Sequence, residues 1–203
     1  MSETVFPPAT VEAFIDVAWR ALPTPEEDAD LAIEKLITSL EVDEAAERGL
    51  RTGLGSVNVL AHRLTTGNRR SYALVRNPAS GIVDALLSTK LSQVEPDAYD
   101  QYFAAIRATD VADGFEIINR TLIETRLPAG RAIVLHDFTA TDDSGGMPEP
   151  ALERAILALF VDGSAALIEF YLAAQNLALF ADMEEFLITL ASGERARTPA
   201  VTT

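Results

Sequence analysis

His136 and Asp137 stand next to each other in the run RAIVLHDFTA (131–140), and no other pair in the chain is better suited to moving a proton or holding a metal. An imidazole titrates closest to neutrality, and a neighbouring carboxylate can orient it. The run reads as a strand, and successive strand side chains point to opposite faces. The two groups therefore cannot act on one substrate unless a bulge intervenes. Structural hydrogen bonding is the competing role for His136. The second histidine, His62, lies in SVNVLAHRL (56–64), also read as a strand.

Other constellations fall short of a recognised chemistry. Asp142-Asp143-Ser144-Gly145-Gly146 offers hard oxygens for calcium but lacks the alternating ligand spacing and the bidentate glutamate of an EF-hand loop, so a solvated turn is expected. Arg51-Thr52-Gly53-Leu54-Gly55-Ser56 contains a G-x-G, but it leads into a strand, whereas a dinucleotide site needs a strand before and a helix after. Ser144, Ser164 and Ser192 sit in no G-x-S-x-G context. Asp182, Glu184 and Glu185 are read as the solvated side of a terminal helix, and Glu116 and Glu124, evenly spaced in one strand, could share a face. Without cysteine there is no thiolate nucleophile, disulfide or Cys-based zinc site.

Charge narrows the partners. A net charge of −15 disfavours nucleic-acid phosphates and anionic membranes alike. Residues 1–50 hold twelve acids against Arg20, Lys35 and Arg48, whereas residues 51–83 hold Arg51, Arg63, Arg69, Arg70 and Arg76 with no acid. Two readings follow: an anion or acidic-partner site around Arg69 and Arg70, or, preferred, pairing of these arginines with the acidic N-terminal helices. No apolar run is long enough to span a membrane, and MSETVFPPAT has neither a basic nor an apolar leader region, so a cytoplasmic location is expected.

The elements that must position these residues begin with a helix over VEAFIDVAWRAL (11–22) ended by Pro23. A second helix opens at Thr24-Pro25-Glu26-Glu27 through a capping box, and a short one covers VDEAAERGL (42–50). Gly53 and Gly55 mark the change to strands, and SVNVLAHRL and RSYALVRN (70–77) flank a hairpin loop at 65–69. The ambiguous IVDALLSTKLSQV (82–94) is read as a strand, and AYDQYFAAIRAT (98–109) as a helix. FEIINRTLIETRL (115–127) and RAIVLHDFTA form strands joined at Pro128-Ala129-Gly130, and TDDSGGMPEP (141–150) is a loop. ERAILALFV (153–161) and SAALIEFYLAA (164–174) flank Asp162-Gly163, which predicts a type I′ hairpin with both central residues at positive φ. A helix then starts at Asn176 and stops at Gly193. The aromatics Tyr99, Tyr102, Phe103, Phe170, Tyr171, Phe180 and Phe186 fit a core, with an apolar groove as the alternative.

The turn Leu127-Pro128-Ala129-Gly130-Arg131, the strand after it, the Asp162-Gly163 hairpin and NLALFADMEEFLITLASG together resemble an uncharacterised actinobacterial family with a Mog1/PsbP-like fold. The resemblance covers about residues 56–193. It implies a sheet flanked by helices and brings no catalytic residues with it.

The class read from the chain is α+β: an antiparallel sheet of about six or seven strands flanked by helices, with an N-terminal helical segment (1–52), a sheet with a C-terminal helix (53–193) and a tail (194–203). Function is expected to be non-enzymatic protein interaction, with an unidentified protein partner or self-association and no cofactor. No residue is assigned to catalysis, ligand binding or metal. Alternatives are an apolar-ligand carrier with a cavity between sheet and helices, and an enzyme using His136 and Asp137.

Overall fold

A computed structural model describes residues 8–63, 69–95, 98–108, 115–141, 152–174, 179–180 and 182–196. A 3-10 turn, Pro8–Ala13, leads to strand β1 (Trp19–Ala21), and helices α1 (Ala29–Thr38) and α2 (Glu44–Arg63) follow. Next come β2 (Arg69–Leu74), a 3-10 turn at Pro78–Ser80, β3 (Ala85–Gln93) and α3 (Ala98–Arg107). A four-strand meander of β4 (Phe115–Leu127), β5 (Gly130–Thr141), β6 (Leu152–Val161) and β7 (Ala166–Ala174) precedes α4 (Met183–Ala191). The seven strands form one open sheet, ordered β1-β2-β3-β7-β6-β5-β4, and every neighbouring pair is antiparallel. The class is α+β, as the sequence implies.

Helices cover both faces. On the front, α4 and the first 3-10 turn close over Leu87, Leu157, Phe170 and Leu172, with Leu187 and Leu190 of α4 completing the cluster. On the back, α1 and α2 bury Ile33, Ile37, Leu50 and Leu54 against Ala73, Leu86 and Ala173. α3 lays Tyr99 and Ile106 on Ile133 and Leu135, and Ile156 touches both back clusters. Among the described residues no helix is long and apolar enough to cross a membrane.

The N-terminal segment departs from expectation. The run 11–22 is no α-helix: its apolar residues divide between the 3-10 turn and an edge strand, where Trp19 pairs with Leu74 and packs near Phe186. Tertiary pairing overrides the helical period here, because three residues suffice to complete the sheet edge. At Thr24 half of the box forms: the Thr24 amide donates to Glu27 Oε2 at 2.7 Å, but the Glu27 amide donates to the Thr24 backbone carbonyl and not to its hydroxyl. These two bonds close a turn, not a helix; α1 starts five residues later with Asp28 as its cap, accepting from the Leu31 amide at 3.0 Å. The N-terminal segment is thus a turn and a strand before any α-helix.

The largest correction concerns residues 51–63. Gly53, Gly55 and SVNVLAHRL belong to α2, and His62 is exposed on its last turn. The expected hairpin loop, 65–69, lies mostly outside the described residues. Leu50, Leu54, Asn58 and Ala61 recur at helical spacing and are buried, a period that the β-branched residues of SVNVL obscure. The glycines are contact points. A Cβ on Gly49 would lie 2.5 Å from the Gly81 carbonyl oxygen, and one on Gly53 2.8 Å from Val83 Cγ2. Gly81 itself sits at φ +69°, so helix and turn meet backbone to backbone.

The sheet hairpins are where the sequence places them. β4 and β5 join through Pro128-Ala129, and 82–94 is largely strand β3. At Asp162-Gly163 only the glycine has positive φ, and the Ser164 amide donates to the Val161 carbonyl at 3.2 Å. The turn is therefore not type I′. α4 stops at Gly193 as expected, whereas its proposed start at Asn176 lies outside the described residues and the helix is capped by Asp182.

Candidate functional site

Register turns the sheet into rows of side chains. On the back face, Ala73, Leu86, Ala173, Arg154, Asp137 and Arg120 lie in one row across β2, β3, β7, β6, β5 and β4. Asp137, 0% exposed, is flanked on both sides by an arginine. Arg120 donates from Nε to Oδ1 at 2.7 Å and from Nη2 to Oδ2 at 2.9 Å; Arg154 donates from Nε and Nη2 to Oδ2 at 2.9 and 2.6 Å. Burial pushes the Asp137 carboxyl up, but the hydrogen bonds and charges of the two arginines outweigh it and hold the group below the usual carboxylate range. A carboxylate with four donors is a structural anchor and has little capacity left to accept a substrate proton.

His136 faces the front, as strand alternation requires. Its Nε2 lies 3.0 Å from Glu153 Oε1 on β6 and its Nδ1 3.3 Å from Glu184 Oε1 on α4. The ring also packs on Phe138, 4.9 Å between centroids. Both ring nitrogens thus face carboxylates, and the arrangement ties α4 to the sheet. The two carboxylates approach opposite ring nitrogens, so they do not converge on a metal at either one. Among the described residues no group of three or more such side chains is arranged to hold a metal ion.

The remaining sequence candidates scatter. Asp182 and Glu185 are exposed, as read, but Asp182 accepts from the Glu185 amide and Glu184 turns inward to His136. Glu116 and Glu124 do not share a face. A bulge between Ile117 and Asn119 shifts the register, so Glu116 opposes Ala140 and Glu124 opposes Ile133, on opposite sides of β5. The Asp142–Gly146 loop and Ser144 lie outside the described residues. Phe170, Phe180 and Phe186 belong to the front core, Tyr171 to the back core under α2, and Tyr99 to the cluster under α3. The sheet separates them, so they line no common groove. Leu50, Leu54, Leu157 and Leu172, which pack between sheet and helices, are each fully buried.

The arginines divide as well. Arg51 pairs with Glu34 of α1 and with Glu47, in line with internal neutralisation, and Arg70 lies in the field of Glu27. Arg76 instead binds Asp84 at 2.8 Å. Arg69 makes no ion pair among the described residues.

One surface stands open. Along the outer side of α2, Thr52, Gly55, Ser56, Val59 and Leu60 line a concavity of about 520 Å³ between Arg51 and Arg63. Val59 is 52% exposed there, and a Cβ on Gly55 would meet no atom within 4 Å. Sequence reasoning missed this surface because it read the segment as a loop and a strand, and the i, i+3, i+4, i+7 spacing of these small residues only has meaning on a helix. No protein-family model matches the chain, and no curated protein matches it in sequence.

Proposed function

We propose that the protein is a non-catalytic docking module that receives an amphipathic helix of a partner protein along the outer side of α2. The carrying observation is the open concavity between Arg51 and Arg63. Twelve residues of helix span about 18 Å, enough for three turns of an incoming helix to anchor at i, i+4 and i+7. Small residues in the floor let the two backbones approach closely, while exposed Val59 and half-buried Leu60 supply the apolar contact. Arg51 is already held by Glu34 and Glu47, whereas Arg63 is exposed, so the partner presents an acid at the Arg63 end. The Mog1/PsbP-like resemblance adds no site residues to this reading, since one fold hosts many functions.

A photo-crosslinking residue placed at Val59 tests it in extract of the source cells. The expected outcome is one specific adduct whose yield falls at least tenfold when Ser56→Trp fills the floor, with the melting temperature of the free protein unchanged. An undiminished adduct in Ser56→Trp, or an adduct only with a second copy of this chain, overturns the proposal.

A further inference from the structure

The sheet has two edges, and they are finished differently. At one end β1 is only three residues long, with Trp19 buried. At the other, β4 runs for thirteen residues and, among the described strands, pairs only with β5. The bulge between Ile117 and Asn119 interrupts the first part of this edge. Beyond it, residues 119–127 follow β5 in unbroken register, and Asn119, Thr121, Ile123, Glu124 and Arg126 are exposed along them. No proline or lysine guards that stretch. A long strand with one side unpaired is a template for another strand.

Two features of β4 say which strand fits. Glu116 and Glu124 cancel Arg120 and Arg126, so a chain of net charge −15 brings no net charge to this edge, and a second copy can approach here without repulsion. On the back face, the apolar cluster of Tyr99, Ile106, Ile133 and Leu135 reaches the edge at Leu122, which packs against it.

We propose that two copies of this chain join β4 to β4, antiparallel, about a two-fold axis at Leu122, so that the two sheets become one. Leu122 then lies opposite Leu122 of the second copy and merges the two apolar clusters. Arg120 lies opposite Glu124, and Thr121 opposite Ile123, each pair occurring twice by symmetry. Arg120 keeps its bonds to Asp137, and the half-exposed Glu124 keeps its bond from the Tyr99 hydroxyl, so the seam adds a neighbouring opposite charge to each. Neighbouring registers lose this match. Centred on Ile123, Arg120 meets Arg126 of the second copy; centred on Thr121, Glu124 falls on Ile118 in the bulge. The seam does not involve α2, so it and helix docking there can fail independently.

The test is sedimentation of the full chain over a range of concentrations, joined to disulfide trapping. A dimer that dissociates on dilution is expected. Glu124→Arg, which sets like charges opposite each other twice, should weaken it about tenfold or more, and Glu124→Gln, which still accepts from Tyr99, about threefold, with melting temperatures of the dilute monomers near that of the wild type. The chain has no cysteine, so a single introduced one forms only an intermolecular disulfide. Directly opposed Cα atoms lie about 4.5–5.5 Å apart, within disulfide reach, whereas residue 125 lies about 20 Å from its own copy in this register. Leu122→Cys should therefore oxidise to a linked dimer at least about tenfold faster than Thr125→Cys. A wild-type chain that stays monomeric at every concentration, a dimer undiminished in Glu124→Arg, or equal trapping at positions 122 and 125 overturns the proposal.

Discussion

Two adjacent rows of the sheet, offset by one residue on every strand, follow opposite rules. The front row reads Tyr72, Leu87, Leu172, Ala155, His136 and the back row Ala73, Leu86, Ala173, Arg154, Asp137. Toward β2 and β3 both rows are apolar. Toward β5 both become polar, but differently. In front one imidazole is held between two carboxylates, and at the back one carboxylate is held between two arginines. The meander end of the sheet is therefore pinned by polar side chains on both faces, and the front network reaches across to α4. The most chemically suggestive dipeptide of the chain is thus divided between the two faces, with Asp137 already accepting from four N–H donors.

The largest expected effect comes from breaking the back network. Asp137→Ala leaves Arg120 and Arg154 without their buried counter-charge and should cost about 3–5 kcal/mol in urea denaturation. Replacing the whole triad, with Arg120→Met, Asp137→Leu and Arg154→Met together, should recover most of that loss, since an apolar row of similar volume needs no ion pairing. If the triple variant is no more stable than Asp137→Ala, the two faces differ less than this comparison holds. Next in size, Leu157→Ala on the front face should cost about 3 kcal/mol through transfer and cavity terms. Its loss should be insensitive to salt and pH, and a marked pH dependence would show that the apolar front core is coupled to the His136 network.

The smallest effect is the acid limb. The folded-state pKa of Asp137 is lowered, so its contribution is present above the unfolded carboxyl value near 3.9 and is lost as pH falls toward the folded value. The stability gap between the wild-type chain and Asp137→Asn should therefore be constant from about pH 7 to pH 5 and narrow below about pH 4. A gap that persists undiminished at low pH would assign the cost to packing and not to the charge.

Much of this fold was legible because period 2 and turn residues are local signals. The meander from Phe115 to Ala174 follows from alternation and from Pro128-Ala129-Gly130 and Asp162-Gly163. What local reading missed depends on contacts distant in sequence. Gly49 and Gly53 look like breakers until Gly81 and Val83 are placed against them, and Trp19 looks helical until β2 offers it a partner. The opposition of His136 and Asp137 was legible from strand alternation, but the second arginine on Asp137 and the α4 carboxylate on His136 depend on strand register and helix docking. The bulge at Ile117–Asn119, which separates Glu116 from Glu124, leaves no mark in composition at all.

The junction of β3 with β7 has a kinetic meaning. β3 is synthesised early, yet its partner for Ala85 is Ala174 and for Gln93 is Ala166, so the whole of α3 and the β4–β6 meander must be made before this seam can close. Hairpins β4–β5 and β6–β7 close over a few residues and β5–β6 over twelve, between Thr139 and Leu152, whereas the seam closes a loop of more than seventy residues at a larger entropic cost. Until then Ile168, Phe170 and Leu172 face an unpaired edge. The β3–β7 seam is thus the strand pairing of this sheet that spans the longest stretch of chain, and until it forms the apolar edge of β7 can meet a neighbouring chain.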